Sequence, residues 1–149
     1  MAYTEEFSSG SIFPLTTAVA GSIDLTTAAV NGEFALLRHA RVKKLMFLVT
    51  TAVVGTSNGA TVTFTRRITP GSDTGAVVLG TLIIPAGTAI GKVMYKDITP
   101  TNMSVGDTIK CAVTTAAAGG SPAGTGYYAF EVYMDAETSL NEADMIASA

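Results

Sequence analysis

Arg41-Val42-Lys43-Lys44-Leu45-Met46-Phe47-Leu48-Val49-Thr50-Thr51-Ala52-Val53-Val54 is followed, after Gly55-Thr56-Ser57-Asn58-Gly59, by Ala60-Thr61-Val62-Thr63-Phe64-Thr65-Arg66-Arg67-Ile68. Basic residues leading into an apolar run imitate a secretory signal, but the run is internal and only ten residues long, where a membrane span needs about 20. It reads instead as a buried strand. In the second stretch Val62 and Phe64 alternate with Thr61, Thr63 and Thr65, which fixes an inner and an outer face. The sequence predicts two strands, Lys44 to Val54 and Ala60 to Ile68, joined as a hairpin through Gly55 to Gly59.

Outward from this pair, turn chemistry recurs at short intervals. Ala20-Gly21-Ser22, Asn31-Gly32, Pro70-Gly71-Ser72-Asp73-Thr74-Gly75, Pro85-Ala86-Gly87, Thr99-Pro100-Thr101-Asn102, Gly106-Asp107 and Gly119-Gly120-Ser121-Pro122 punctuate runs rich in Val, Ile and Thr. Those runs predict further strands at Ser22 to Leu25, Phe34 to Arg38, Ala76 to Ile84, Gly91 to Ile98, Thr108 to Thr115 and Tyr127 to Met134. No segment before residue 139 sustains a 3.6-residue period. The expected fold is all-β, an antiparallel β-sandwich of about eight strands and jelly-roll-like. Phe47, Val49, Val62, Phe64, Ile109, Val113, Phe130 and Val132 fall on its inner faces.

The 149 residues suit one domain. Residues 20–135 are assigned to the sandwich, residues 1–19 to an extended N-terminal arm and residues 136–149 to an acidic C-terminal tail. The arm carries Phe7, Ile12, Phe13 and Leu15 without a period, between Ser8-Ser9-Gly10 and Pro14. Such a segment orders against another surface. The tail and the strand before it hold Glu131, Asp135, Glu137, Glu142 and Asp144 with no Lys or Arg, whereas all nine basic residues precede them.

Hydrophobic residues make up 48% of the chain and charged ones 14%, well under the usual quarter, so the surface is built for contact. A net charge of −3 disfavours phosphate gripping. Arg38, Arg41, Lys43 and Lys44 form one basic cluster, and Arg66 and Arg67 form another with Lys92 and Lys96. Neither is interleaved with stacking aromatics, which favours an acidic protein partner over nucleic acid.

His39, the single histidine, lies between Arg38 and Arg41 with no carboxylate to orient it, and Cys111 shares a strand face with Ile109 and Val113. Catalysis and metal binding have no residue set to run on, so no cofactor and no enzyme activity are expected. Asp73-Thr74-Gly75-Ala76 matches an aspartic-protease signature, but Pro70-Gly71-Ser72 places the Asp at a hairpin tip, where its carboxylate is expected to cap its own turn. The glycines from Gly119 to Gly126 lack the following Lys-Ser/Thr of a phosphate loop and read as a flexible loop. Met1-Ala2-Tyr3-Thr4-Glu5-Glu6 has no secretory pattern, so synthesis and retention in the cytoplasm are expected.

From Gly80-Thr81-Leu82-Ile83-Ile84-Pro85-Ala86-Gly87-Thr88-Ala89-Ile90-Gly91-Lys92-Val93, through Val105-Gly106-Asp107-Thr108-Ile109-Lys110, to Thr114-Thr115-Ala116-Ala117-Ala118-Gly119-Gly120, the chain resembles the small decoration (cement) proteins of tailed-bacteriophage capsids. The likeness covers roughly residues 20–135. It implies a jelly-roll-like structural protein that self-associates, as a homotrimer, and binds the major capsid protein on the virion exterior. Phe7, Ile12, Phe13, Leu15, Arg38 and Arg41 are the expected capsid contacts. A carbohydrate- or receptor-binding sandwich is the alternative, and it would need exposed tyrosines from among Tyr3, Tyr95, Tyr127, Tyr128 and Tyr133.

Overall fold

The structure, a computed structural model, describes residues 16–36, 39–55 and 59–134. Eight strands run β1 (Thr16–Asp24), β2 (Ala29–Ala35), β3 (Ala40–Val54), β4 (Ala60–Arg67), β5 (Val77–Ile84), β6 (Val93–Met103), β7 (Thr108–Thr115) and β8 (Ala123–Met134). They form two four-stranded sheets, β1-β8-β3-β6 (sheet A) and β2-β7-β4-β5 (sheet B). All pairings are antiparallel. The first strand pairs with the last, β2 with β7, β3 with β6 and β4 with β5. This nesting is one long ribbon of paired chain folded over on itself, the topology of a jelly roll.

The β3–β4 hairpin expected from sequence does not form. β3 has β8 and β6 on its two sides, β4 has β7 and β5, and the connection between β3 and β4 crosses from one sheet to the other. Alternation determines which residues of a strand point inward, but strands side by side and strands face to face bury the same residues. The pairing of strands adjacent in sequence is β4–β5, around the Pro70 to Gly75 turn.

The inner faces were legible, and all eight residues assigned to them are buried. Between the sheets, Phe64 meets Phe130 edge-on at 5.8 Å and Tyr128 at 6.4 Å, while Phe34 packs on Phe130 at 5.5 Å. Cys111 lies fully buried among them, and burial pushes its thiol well above the ordinary range. Tyr128 is buried as well, which removes it from the possible sugar platforms.

Two boundaries differ from the sequence reading. β1 starts at Thr16, so four residues placed in the arm are paired with β8. β8 starts at Ala123, so half of the expected glycine loop is strand. Gly126 has a packing reason to be glycine, since a Cβ there would run into the Phe47 ring and the Leu48 carbonyl of neighbouring β3.

Candidate contact faces

Sheet B carries its charge at one end. Arg67 of β4 donates to Glu33 of β2 at 2.9 Å and to Asp73 of the β4–β5 turn at 2.8 Å, and Lys110 of β7 reaches Asp73 at 2.9 Å. Glu33 also accepts from the Thr108 hydroxyl and from the Gly71 amide, and Thr108, Gly71 and Arg67 together lower its pKa. The Asp73 carboxyl, held by Arg67 first and Lys110 second, is lowered to about 2. Asp73 therefore does not cap its own turn. The turn is closed by backbone bonds from Ser72 to Thr69 and from Ala76 to Asp73, and by Ser72 Oγ accepting from the Thr74 amide. Nearby, Asp107 accepts from Arg66 at 2.8 Å and from the Ser104 amide at 2.9 Å. Arg66 and Arg67 are thus consumed in ion pairs that fasten loops, while Lys96 belongs to β6 of the other sheet. The second expected basic cluster does not assemble.

The rest of the outer face of sheet B is uncharged. Register brings Thr63 beside Thr81 and Ala112, and Thr61 beside Ile83, with Thr63 and Thr114 hydroxyls 3.0 Å apart. Edge strand β5, Val77-Val78-Leu79-Gly80-Thr81-Leu82-Ile83-Ile84, contains no charge and no proline, and Val77, Val78 and Ile83 stand more than half exposed. Edges of that kind are normally guarded by charge or proline. The opposing edge strand β6 is guarded, by Lys96, Asp97 and Pro100.

Sheet A has a different outer face. Val93, Leu48 and Tyr127 lie side by side across β6, β3 and β8, and the next row is Tyr95, Met46 and Ala129. Val93, Leu48, Tyr127 and Tyr95 are exposed, so an apolar band crosses three strands. On one side Thr125 hydrogen-bonds Thr50 and Thr51. On the other, Lys44 lies 3.5 Å from Asp97 and 3.9 Å from Glu131, with its ammonium over the Tyr95 ring at 4.9 Å. Beyond it Lys43 donates to the Tyr133 hydroxyl at 3.1 Å, which raises the lysine pKa, and Arg41 donates to Asn102 at 2.9 Å.

Of the expected contact residues, Arg41 is exposed at this corner of sheet A, on the row of Tyr133 and Asn102. Phe7, Ile12, Phe13, Leu15 and Arg38 lie outside the described residues. β1 begins with Thr16 opposite Val132, one residue along β8 from the partner of Arg41. Arg41, Lys43 and Lys44 do share one corner, as the sequence implied. The apolar band was missed because Leu45 to Val49 reads as uniformly buried, although Met46 and Leu48 face out. Among the described residues no group of three His, Cys, Asp or Glu side chains is arranged to hold a metal ion.

No model of a known protein family matches the sequence, and no curated protein does. Among solved structures, the chain is similar to that of infectious bursal disease virus Gx strain, with 13% identity over 80% of this chain and a TM-score of 0.34. It is also similar to the D431N mutant VP2 protein of infectious bursal disease virus in T=1 particles, with 13% identity over 84% of this chain and a TM-score of 0.30. This chain spans 30% of the length of each of those chains.

Proposed function

We propose that this chain is a non-enzymatic structural protein of a virion, made in the host cytoplasm, which decorates and stabilises the outside of a tailed-phage capsid by binding its major capsid protein. The observation that carries this reading is the segregation of charge on sheet B. Ionic groups are gathered at one end to fasten loops, leaving Thr61, Thr63, Thr81, Ile83 and the unguarded β5 edge as a surface suited to protein contact. The sequence likeness to cement proteins supplies the kind of contact. Copies of the chain associate through this side of the sandwich into a trimer.

Capsid binding is assigned to Phe7, Ile12, Phe13, Leu15 and Arg38 together with Arg41. The start of β1 and Arg41 share one end of sheet A, which supports their acting together. The test is co-sedimentation with capsids lacking the protein. The full chain is expected to pellet with them, and a chain beginning at Thr16, which keeps β1 whole, is expected to stay folded and remain in the supernatant. Failure of the full chain to pellet refutes the capsid assignment, and binding by the shortened chain moves the contact to the sandwich.

The carbohydrate reading has one observation in its favour, the exposure of Tyr95 and Tyr127 on the same face. Lys44 already occupies one face of the Tyr95 ring. A glycan array that gives binding abolished by Tyr127→Ala would establish it.

A further inference from the structure

The loop from Ile68 to Ala76 joins β4 to β5 at one edge of sheet B, yet its polar contacts lie in the opposite direction. The Gly71 amide donates to Glu33 of β2 at 3.1 Å, while Asp73 takes Arg67 of β4 at 2.8 Å and Lys110 of β7 at 2.9 Å. β2 is two strands from β4, about 10 Å away, so the loop is a strap that crosses the outer face over β7. Thr65, Arg67 and Thr108 are buried on that face. From Ile68 to Gly75 every residue but Ser72 is exposed, so no apolar side chain pins the strap down. Its hold is polar. The Asp73 side chain is 61% exposed, whereas those of Arg67 and Lys110 are 8% and 14% exposed, so two cations set in the sheet share a carboxylate carried on a surface loop. Arg67 has Glu33 as a second partner, and among the described residues Lys110 pairs with Asp73 alone.

We infer that Asp73 is an internal stand-in for a carboxylate of a partner protein, and that an acidic segment docking on sheet B takes its place on Lys110 and Arg67 while the strap lifts. This rests on the reading of sheet B as a contact face and gives that face its partner chemistry. A carboxylate is the ligand for which the two cations are spaced, since Asp73 Oδ1 accepts from Arg67 Nε at 2.8 Å and from Lys110 Nζ at 2.9 Å. The exchange conserves charge. Arg67 and Lys110 face two carboxylates before and after, so no unpaired charge is enclosed in the contact, and Asp73 passes into water. Arg66 takes no part, because Asp107 holds it at 2.8 Å. Tethering keeps Asp73 at an effective concentration in the millimolar range, so a stray carboxylate at micromolar concentration does not displace it. A segment that also covers Thr61, Thr63 and Ile83 gains the further contact that displacement needs. The strap thus closes the cation pair to stray anions and yields it to a matching surface.

Fluorescence anisotropy of labelled hexaglutamate titrated with the full chain at low salt tests it. Asp73→Asn removes the competitor and is expected to bind the peptide at least about tenfold more tightly than wild type, the opposite of what loss of an ordinary contact residue does. Asp73 is exposed, so the variant keeps the fold, and Asp73→Ala is expected to give the same gain. Adding Lys110→Gln, or raising salt to about 0.5 M where screening falls to a few ångströms, is expected to abolish it. By hydrogen exchange, the Gly71 amide is expected to lose protection several-fold in Asp73→Asn with peptide bound. Equal affinity in wild type and both Asp73 variants overturns the inference, as does a gain that survives Lys110→Gln. Tighter binding of a thymidine hexanucleotide than of hexaglutamate by Asp73→Asn overturns it in favour of a phosphate ligand. The assay involves neither capsids nor the assembled oligomer, so its failure is separate from failure of the capsid reading, which co-sedimentation decides.

Discussion

Replacing Phe64 by Ala tests the sandwich at its centre. The ring is fully buried, stands on the inner face of β4 between Cys111 of β7 and Gly80 of β5, and meets Phe130 and Tyr128 edge-on across the gap between the sheets. Deleting a buried phenyl group forfeits its transfer from water and leaves a cavity, a combined cost of about 3–5 kcal/mol. Each lost ring pair contributes about 0.5–1.5 kcal/mol to that range. Gly80 offers no side chain to fill the space, and a Cβ there would already touch Leu45, so the cavity collapses poorly and the upper half of the range is expected. For a chain of this size each kcal/mol lowers Tm by about 3 °C, giving a fall of about 12–15 °C by calorimetry. Thr63→Ala is the control, since its hydroxyl bonds Thr114 on the outer face and its loss is expected to cost under about 1.5 kcal/mol. An unchanged Tm for Phe64→Ala, or a larger loss from Thr63→Ala, would invert the faces of β4 and refute the reasoning.

Gly126→Ala is expected to be at least as damaging as Phe64→Ala, because the added methyl meets the Phe47 ring and backbone that cannot move aside, and urea unfolding or loss of soluble protein will show it. Asp73 has a folded pKa of about 2 against an ordinary 3.8, so its pairing with Arg67 and Lys110 stabilises the fold above pH 3.8 and is lost as pH falls toward 2. The Tm difference between wild type and Asp73→Asn is accordingly expected to be constant above about pH 5 and to close through that acid window. Cys111, buried and with its thiol pushed up, is expected to react with an aromatic disulfide reagent only at the rate of unfolding; rapid labelling of the native chain would show the core open at β7.

The in-and-out pattern of each strand was legible wherever apolar residues alternate with Thr, as in β4, or with Lys and small residues, as in β7. Neighbour relations were not, because the β3–β4 crossing and a β3–β4 hairpin bury identical side chains. Composition misled at Gly124 and Gly126, where glycine serves close packing against Leu25, Val53 and Phe47 rather than a loop. It misled again at Met46 and Leu48, since an unbroken apolar run looks the same whether both faces are buried or one is an exposed contact face. The ion-pair network was invisible for another reason. Glu33, Arg67, Asp73 and Lys110 come from four places in the sequence that only the folded sheet brings together.

The nested pairing of the strands also sets an order of assembly. β4 and β5 are joined by the short Ile68–Ala76 loop, and each successive pair, β3·β6, β2·β7 and β1·β8, must close a longer loop than the one before. Closure entropy grows with loop length, and folding slows as contacts become more distant in sequence. A nucleus at the β4–β5 hairpin that zips outward follows, with β1·β8 docking last. Among the described strands β1 is synthesised first and waits for most of the chain before β8, its partner there, arrives, so β1 is the strand left exposed longest on the ribosome.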